Sequence, residues 1–543
     1  MPPSVRAALR DLAGRRHDIL IIGGGITGAG IARDAALRGW SVALVEAGDF
    51  GSGTSSRSSR LIHGGLRYLE QRRFRLVSES LQERSLLLRL APYLVRPLEF
   101  ILPFYRGDRV PGWKVRLGLR LYDRLAGTGN VRRHQSLGKR ALQEMEPLLR
   151  ERGLKGGARY FDAQCDDARL TVAVIRAAAG AGALVINYVR AVDLIRNGNR
   201  VIGAKLRDSI TGEEAEAEAR LVVNATGPWV DLVRRLEDPA ATPILRPTRG
   251  AHVQVPQSRV GNRHAILFSS PIDHRPLFVL PWGAGEWTYI GTTETDTNES
   301  PAQVQPSEED LIYLLRSTNA LFPDARLGSE DVVASWAGLR PLLAAGDQGG
   351  RGAAGGAPVV PAGKLSREHR ILRGPGGMLT VAGGKLTTFR RMAEEVVNQA
   401  SQLLGIPKSG ENLSRTQLLP GSGGAIGLAL RAPGAKLGLP DETVDYLIRH
   451  YGAETPAIYQ LCQEQPELRA PLHPAHPSIG AQVIFALERE LARTALDIME
   501  RRIRLGTETS DQGASARLRI EELVSGYFSR DENVHRSERI RDR

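Results

Sequence analysis

The chain has 543 residues, 42% of them hydrophobic, and a formal net charge of +13. A chain of this length exceeds one compact core, so roughly two or three domains are expected. The two cysteines, Cys165 and Cys462, lie far apart, which excludes a disulfide framework and a cysteine-based metal or iron–sulfur site. We also expect no secretory signal and no membrane-spanning helix, because uninterrupted apolar stretches of about 18 residues are lacking. These features favour a cytoplasmic protein without a metal site.

The first predicted element is a βαβ unit in HDILIIGGGITGAGIARDAALRGWSVALVE, residues 17–46. Two short apolar runs flank a helical pattern, and Gly23, Gly25 and Gly28 give the G-x-G-x-x-G spacing. The first glycine permits a tight turn, the second lets a pyrophosphate approach the backbone, and the third lets the helix pack on the strand. Glycines that serve turn geometry alone are the alternative, but they leave Glu46 at the end of the second strand unexplained. A carboxylate there suits a ribose diol, so the unit predicts FAD or NAD rather than NADP.

A polar loop follows this unit in TSSRSSRLIHGGLRYLE, residues 54–70. Its hydroxyl and guanidinium groups suit a second phosphate and a polar ring edge, whereas an NAD enzyme usually continues with further regular βα units. An exposed Ser/Arg linker is the alternative. The ending HGGLRYLE argues against a linker, because it indicates the start of an amphipathic helix.

The segment PGWKVRLGLRLYDRLAG, residues 111–127, predicts an amphipathic helix. Apolar side chains recur at four-residue spacing beside basic ones that suit anionic head groups. The apolar set is Trp113, Leu117, Leu121 and Leu125, and the basic set is Lys114, Arg116, Arg120 and Arg124. A buried helix with a solvated basic edge, or a strand, is at least as good a local interpretation.

Two later motifs are expected to return the chain to the dinucleotide sheet. DDARL, residues 166–170, starts a helix capped by its aspartates, and the following strand brings the Val189 backbone towards an adenine. VVNATGPWVD, residues 222–231, is a β-branched run that ends in a small-residue turn at Ala225 and Gly227. An ordinary core strand is an equal alternative for the second motif.

The remaining candidate residues lie in the segment 236–365 and at the start of one further helix. His252 falls in an alternating strand, Thr292 ends another, and Arg340 lies in SWAGLRPLL. GGKLTTFRRMAEEVVNQA, residues 383–400, places glycines and hydroxyls at a helix N-terminus, whose free amides would stabilise negative charge on a bound ligand. A capped surface helix with a solvated Lys385 is the alternative.

The C-terminal part changes composition after residue 421. ETVDYLIRHYG and QVIFALERELARTALDIMERRIRL carry apolar residues at helical spacing, which predicts a separate helical domain. The last residues, SRDENVHRSERIRDR, predict a disordered tail, and the Gly/Ala/Pro-rich stretch 346–363 predicts a flexible surface loop.

Six segments of the chain, taken in order, form a recognisable set: GGGITGAGIARDAALRG, EAGDFGSGTSSRSSRLIHGGLRYLE, GLKGGARYFDAQCDDARL, VVNATGPWVD, IGTTETD and GGKLTTFRRMAEE. Together they resemble the FAD-dependent glycerol-3-phosphate dehydrogenases over nearly the whole chain. The resemblance implies an α/β fold with a Rossmann-like FAD-binding domain of the D-amino-acid-oxidase and glutathione-reductase type. A β-rich substrate domain would be interleaved with it, and a C-terminal helical domain would follow. The implied reaction oxidises sn-glycerol 3-phosphate to dihydroxyacetone phosphate and passes electrons from FAD to a membrane quinone.

The resemblance also assigns residues. Its FAD-binding set is Gly23, Gly25, Ile26, Thr27, Gly28, Glu46, Thr54, Ser55, Ser59, Leu61, His63, Gly64, Gly65, Val189, Ala225, Gly227, Gly384, Lys385, Leu386 and Thr387. Its substrate set is Arg67, Tyr68, Thr292, Arg340, Arg367 and Lys385, and its catalytic set is His252, Arg340 and Lys385. Arginines suit a phosphate dianion because they bind it in a bidentate manner, and a histidine suits the proton of the C2 hydroxyl. A solvated surface position for any one arginine, and a merely structural His252, are the alternatives.

We expect the oxidoreductase region at 17–408, with FAD-binding segments at 17–75, 160–235 and 366–408 and substrate segments at 76–159 and 236–365. The helical domain is expected at 409–525 and the tail at 526–543. We further expect a homodimer that binds no nucleic acid and attaches peripherally to the inner face of the cytoplasmic membrane. An oxygen-using glycerol-3-phosphate oxidase, an RNA-directed FAD protein and a redox-silent scaffold are the competing functions. The absence of an aromatic RNA-binding signature disfavours the second, and the HGGLRY and GGKLTT segments disfavour the third.

Overall fold

The computed structural model describes residues 8–344, 368–407, 412–424 and 427–541, with side chains described up to residue 530 except at 428. The strands are β1 His17–Ile22, β2 Val42–Val45, β3 Leu61–Ile62, β4 Val95–Tyr105, β5 Gln135–Leu137, β6 Leu154–Cys165, β7 Leu184–Ile186, β8 Val189–Asn197, β9 Arg200–Asp208, β10 Glu214–Asn224, β11 Leu245–Pro256, β12 Ala265–Ser269, β13 Pro276–Trp282, β14 Trp287–Gly291, β15 Thr295–Asp296, β16 Ala334–Leu343, β17 Arg370–Arg373, β18 Leu379–Ala382, β19 Pro471–His473 and β20 His476–Ile479. The helices are α1 Leu9–Leu12, α2 Ile26–Leu37, α3 Arg67–Glu70, α4 Phe74–Leu90, α5 Gly112–Ala126, α6 Lys139–Met145, α7 Asp167–Gly180, α8 Val230–Glu237, α9 Gln257–Val260, α10 Glu308–Leu321, α11 Phe389–Leu404, α12 Arg431–Lys436, α13 Asp441–Tyr451, α14 Thr455–Glu464, α15 Gly480–Arg489, α16 Ala495–Asp497, α17 Leu505–Glu508 and α18 Ala514–Arg541.

The first sheet is the dinucleotide sheet that the glycine motif predicts. Its strand order is β17-β18-β10-β1-β2-β7, and β1 lies parallel to both β2 and β10. Helix α2 packs between α7 and α11, and their apolar faces bury Ile31, Val174 and Val396 against the sheet. Because parallel strands end at one edge, the carboxyl ends of β1, β2 and β10 bring the glycine turn, Glu46 and Ala225 together.

The second sheet is built mainly from the two predicted substrate segments, 76–159 and 236–365. Its order is β15-β11-β14-β13-β12-β4-β6-β3, with β16 paired to β11 and β5 paired to β6. One face buries the aromatic rings of Phe100, Tyr122 and Tyr160, and the other buries aliphatic side chains such as Val253 and Ile290. Because β3 follows the polar loop directly and β6 leads into α7, this sheet lies beside the dinucleotide sheet. The expected fold class is confirmed.

The C-terminal helices form their own core, which includes Leu447, Ile458 and Phe485. The segment 482–505 is broken into several helical pieces, although its apolar pattern predicts helix throughout. Leu491 and Arg504 adopt left-handed backbone, with φ of 59° and 68°, and these turns let nearby arginines reach the dinucleotide-binding domain. Tertiary ion pairing outweighs local helix propensity here.

The tail differs from the sequence-based expectation. The segment 526–543 was expected to be disordered, whereas the backbone is helical to residue 541 as the end of α18. Tyr527 and Phe528 pack against the C-terminal core, so the helix is stabilised by apolar contact that composition does not reveal. The loop 346–363 lies outside the described residues, and the domain boundaries stay predictions.

None of the described helices combines the length and apolar character that crossing a bilayer requires.

Candidate active site

The glycine turn after β1 has the geometry that a dinucleotide requires. Gly23 has a φ of 111°, and a Cβ there would lie 2.7 Å from the carbonyl oxygen of Ala225. A Cβ at Gly28 would collide with the carbonyl oxygen of Gly23, so the third glycine lets α2 approach the turn. Gly25 is the N-cap of α2, which leaves the first amides of the helix, including those of Ile26 and Thr27, at the edge of the sheet.

Glu46 is fixed at the same edge by backbone amides. Its carboxylate accepts N–H bonds from Gly24 at 2.6 Å and from Gly48 at 2.9 Å. Its carbonyl oxygen accepts from the N–H of Val189 at 2.7 Å, which places the start of β8 beside the acid. Ala225 donates its N–H to Ile22, and Gly227 follows with a φ of 56° and open space beside it. The backbone cradle and the carboxylate fit the pyrophosphate and ribose of FAD.

Hydrogen bonds hold the polar loop to the elements on both sides of it. The Ser55 hydroxyl accepts from the N–H of Ile26 at 2.9 Å, and the Thr54 hydroxyl donates to the carbonyl of Leu339 at 2.7 Å. Ser58 donates both its N–H and its hydroxyl to Asp167, at 2.9 and 2.7 Å. The loop therefore links the first turn of α2 to β16 and α7, and it is an ordered wall rather than a linker.

A cavity of about 150 Å³ opens between this loop, the second sheet and the segment before α11. It brings together residues from all three predicted sets, namely Thr54, Ser59, Leu61, His63, Tyr68, His252, Arg340, Gly384, Lys385, Leu386 and Thr387. Arg57, Gly250, Gly338, Pro341 and Leu342 also line it and were not predicted. Polar groups from both sheets thus converge on one space next to the dinucleotide edge.

The His63–Gly65 loop and the GGKLTT segment contact each other at the cavity. The His63 N–H donates to the Thr387 hydroxyl at 3.1 Å, and that hydroxyl donates to the His63 carbonyl at 3.3 Å. The Lys385 ammonium lies 4.0 Å from the centre of the Tyr68 ring, a cation–π contact, and 3.2 Å from the Ser80 hydroxyl. Lys385 is therefore held at the cavity rather than solvated at the surface.

Arg340 lines the cavity beside the end of β14. Its guanidinium donates to the Thr292 hydroxyl at 2.8 Å and to the Thr293 carbonyl at 3.1 Å. Glu294 was not predicted, and its Oε1 lies 4.0 Å from Arg340 and 3.9 Å from Arg67. Two guanidiniums therefore flank one carboxylate here. Arg367 lies outside the described residues.

His252 lies on β11 and is almost wholly buried. Its ring stacks on Trp336 with the centroids 5.3 Å apart, and its Nε2 lies 2.9 Å from the Ser59 hydroxyl. Burial, and then the positive charges of Arg340 and Arg60, hold the pKa of His252 well below its usual range. The imidazole is therefore neutral at working pH and reaches the cavity wall through Ser59.

The C-terminal domain supports these loops with buried ion pairs. Arg502 binds Asp49 in a bidentate manner, at 2.8 and 3.0 Å, just after Glu46 in the chain. Arg504 pairs with Asp166 and with Asp167, the same carboxylate that holds Ser58. Asp166 also caps α7 by accepting from the Arg169 N–H, which confirms the predicted helix cap. The pairing with arginines more than 300 residues later carried no signal in the sequence.

Comparisons with known proteins agree with this geometry. Residues 18–390 match the family model described as FAD dependent oxidoreductase, and residues 413–535 match the C-terminal domain of alpha-glycerophosphate oxidase. The aerobic glycerol-3-phosphate dehydrogenase of Staphylococcus haemolyticus is 36% identical over 509 residues, which cover 91% of this chain and 87% of that protein. Glycerol-3-phosphate dehydrogenase 2 of Mycobacterium bovis is 37% identical over 530 residues, covering 96% of this chain and 87% of that protein.

A solved structure gives the same result. The glycerol-3-phosphate dehydrogenase from Bacillus halodurans, complexed with FAD, matches with a TM-score of 0.76 and 31% identity, covering 95% of this chain and 92% of that one. Glycine oxidase from Geobacillus kaustophilus shares the fold alone, with a TM-score of 0.52 and 24% identity over 76% of this chain and 100% of that one. The chain therefore belongs to the FAD-dependent glycerol-3-phosphate dehydrogenase family.

Proposed function

We propose that this protein oxidises sn-glycerol 3-phosphate to dihydroxyacetone phosphate and delivers the electrons to a membrane quinone. The observation that carries the proposal is that Arg340, Lys385 and His252 line one cavity together with residues of the polar loop 54–70. Bound FAD supplies the acceptor for the hydride that leaves C2 of the substrate. The experiment that tests the proposal is reduction of the bound flavin by glycerol 3-phosphate, measured directly and without an added acceptor.

Arg340 is the proposed ligand of the substrate phosphate, with Arg67 and Tyr68 beside it. A guanidinium binds a phosphate through two parallel charge-assisted hydrogen bonds, and the bonds to Thr292 and Thr293 fix the orientation of Arg340. Arg67 donates to the Tyr68 hydroxyl at 3.4 Å, which directs both side chains to one place. A phosphate bound here would add negative charge next to Glu294, so two arginines are needed to balance both groups.

The proposed path for the substrate proton runs through Ser59 to His252. As the C2–H bond breaks, the C2 hydroxyl must lose its proton so that the carbonyl can form. Ser59 lines the cavity and its hydroxyl contacts Nε2 of His252, and the low pKa of His252 keeps the imidazole neutral, so it has one nitrogen able to accept a proton. Lys385 is proposed to bind the substrate oxygens or the flavin, and the Tyr68 ring holds its ammonium at the cavity.

Peripheral attachment through α5 is the proposed route to a quinone in the bilayer. Trp113 is 66% exposed and Leu117 58% exposed, which is unusual for side chains of this size. Lys114, Arg120 and Arg124 are exposed on the same helix. Three of the side chains expected to contact the membrane are less exposed. Leu121 and Leu125 are half-buried, and Arg116 packs over the Phe104 ring at 5.6 Å. The proposed contact is therefore the N-terminal half of α5 with its basic edge.

An oxygen-using oxidase is the second candidate. It is favoured by the match of residues 413–535 to a domain described from alpha-glycerophosphate oxidase. Both functions need the same substrate site, so they differ only in what reoxidises the flavin. A comparison of quinone and oxygen as acceptors decides between them.

A further inference from the structure

Three buried polar side chains meet beneath the His63–Gly65 loop. Arg84 comes from α4, Tyr122 from α5 and Asp162 from β6, and each is 1% exposed or less. The Tyr122 hydroxyl donates to Asp162 at 2.8 Å, and Arg84 Nη1 donates to the same carboxylate at 2.7 Å. Buried charges are costly, and an ion pair of this kind adds little to stability compared with apolar packing. A network of this kind can instead serve to fix the position of the groups that it contacts.

The network ends on the backbone of Gly64. The Gly64 N–H donates to the Tyr122 oxygen at 2.9 Å and lies 3.3 Å from Asp162 Oδ1. A Cβ at Gly64 would lie 2.5 Å from that same phenolic oxygen, so the hydroxyl fits against the bare backbone. Burial, and then the negative charge of Asp162, raise the pKa of the Tyr122 phenol well above its usual value, so the hydroxyl keeps its proton.

The position of Gly64 sets the position of its neighbours. His63 precedes it and lines the cavity, and Gly65 follows with a φ of 81°. A Cβ at Gly65 would lie 3.2 Å from the Lys385 ammonium, so the loop backbone also contacts the lysine side of the cavity. A shift of the Gly64 backbone would therefore move His63 and also change the contacts that hold Lys385.

We propose that Tyr122 is a positioning residue for flavin reduction, whose hydroxyl, oriented by Asp162 and Arg84, fixes the His63–Gly65 backbone against the flavin and substrate. The inference rests on the proposed function in that the substrate and the reacting part of the flavin occupy this cavity. Tyr122 itself contacts neither of them. It acts through one backbone amide, and displacements of about 1 Å at such a point are enough to lower a reaction rate about a hundredfold.

The test compares Tyr122→Phe with Tyr160→Phe in the FAD-loaded full-length protein. Tyr160 is the matched control, because it lies in the same core, stacks on Phe100 and packs against the Tyr122 ring at 5.9 Å. The readouts are the absorption spectrum of the bound flavin, the rate of its anaerobic reduction by glycerol 3-phosphate, deuterium exchange of a peptide covering residues 61–68, and the melting temperature.

For Tyr122→Phe we expect an altered flavin spectrum, faster exchange in the 61–68 peptide and a reduction rate at least about tenfold lower. For Tyr160→Phe we expect all three to match the parent. If the two variants have the same flavin spectrum and reduction rate, the proposal is overturned, whatever their melting temperatures. If Tyr122→Phe does not fold, Asp162→Asn replaces it, since the amide keeps the shape of the carboxylate but removes the charge that orients the Tyr122 hydroxyl. A reduction rate and a 61–68 exchange rate equal to those of the parent overturn the proposal, and a slower reduction together with faster exchange supports it.

Failure of this inference is distinguishable from failure of the proposed function. If the parent protein binds FAD but glycerol 3-phosphate does not reduce it, the proposed function fails. If the parent flavin is reduced and Tyr122→Phe behaves like Tyr160→Phe, only the positioning role fails.

Discussion

The Ser59 hydroxyl and Nε2 of His252 lie 2.9 Å apart, although 193 residues separate them in the chain. Ser59 comes from the polar loop on the flavin side, and His252 comes from β11 of the second sheet. The contact joins the two sheets at the cavity, and it connects a buried imidazole to a hydroxyl that lines the cavity.

The first prediction follows from the pKa of His252. Because that pKa is held well below 6.5, the imidazole stays unprotonated, and able to accept a proton, as the pH falls through 6.5. The rate of flavin reduction by glycerol 3-phosphate should therefore be level between about pH 8 and pH 6.5 and fall only at lower pH. His252→Gln should lower the rate about a hundredfold or more at all of these pH values.

One result would contradict the assignment of His252 as the proton acceptor. His63 is the other histidine that lines the cavity. Near-parental activity in His252→Gln together with a large loss of rate in His63→Gln would assign proton transfer to His63 instead.

The second prediction concerns the phosphate. Arg340→Ala should weaken glycerol 3-phosphate by about 2–3 kcal/mol, since a charge-assisted contact to the dianion is lost. Glycerol, which lacks the phosphate, should react as poorly with the variant as with the parent. Arg259→Ala is the control, because Arg259 pairs with Asp331 at an exposed site, and it should change neither value. Steady-state kinetics with both compounds check this, and an equal loss for the two would show that Arg340 does not bind the phosphate.

The sequence predicts the local parts of this site better than its assembly. The glycine turn, the polar loop and the GGKLTT segment are each contiguous, so their geometry follows from turn and helix-capping chemistry. The resemblance adds residues from elsewhere in the chain, and 11 residues of the whole predicted set line one cavity. Glu294, by contrast, is significant only because Arg67 and Arg340 flank it, and Arg67 is distant in sequence. Long-range ion pairs such as this leave no periodicity to detect.

The support from the C-terminal domain is the largest feature that the sequence did not reveal. Asp49 and Arg502 are 453 residues apart, and the segment that carries Arg502 has an ordinary helical pattern. The pattern predicts helix because it reports apolar spacing, whereas the observed breaks at Leu491 and Arg504 serve the placement of arginines.

The third prediction tests this support through pH. Burial alone would raise the pKa of Asp49, but the charges of Arg502 and Arg501 outweigh it and lower that pKa to about 2. The stabilisation is therefore complete above the unfolded-state pKa of about 4 and is lost as the pH falls towards about 2. Asp49→Asn should lower the free energy of unfolding at neutral pH by an amount on the order of 2 kcal/mol or more, and this deficit should shrink as the pH falls through that window.

Urea unfolding at several pH values measures this effect, with Asp445→Asn as the control. Asp445 forms an exposed pair with Arg431, so its loss should have little effect at any pH. A constant difference between Asp49→Asn and the parent from pH 7 to pH 3 would contradict the assignment.

The fourth prediction concerns α5. Binding to anionic vesicles should occur at low salt, weaken as salt is added, and drop sharply in the variant Trp113→Ala, Leu117→Ala, Arg120→Glu. The matched control is Leu496→Ala, Leu518→Ala, Arg519→Glu. It truncates two exposed apolar side chains of the C-terminal domain and reverses one charge there. Sedimentation measures binding, and flavin reduction confirms that each variant is intact. If the α5 variant binds like the parent and the control variant does not, the contact lies in the C-terminal helices.

The most direct test of the account is stopped-flow reduction of the bound flavin by glycerol 3-phosphate, followed by reoxidation with a quinone or with oxygen. We predict rapid bleaching of the flavin by glycerol 3-phosphate but not by glycerol, and reoxidation that is much faster with the quinone than with oxygen. Oxygen as the faster acceptor would make the protein an oxidase. A flavin that glycerol 3-phosphate leaves oxidised would contradict the central claim.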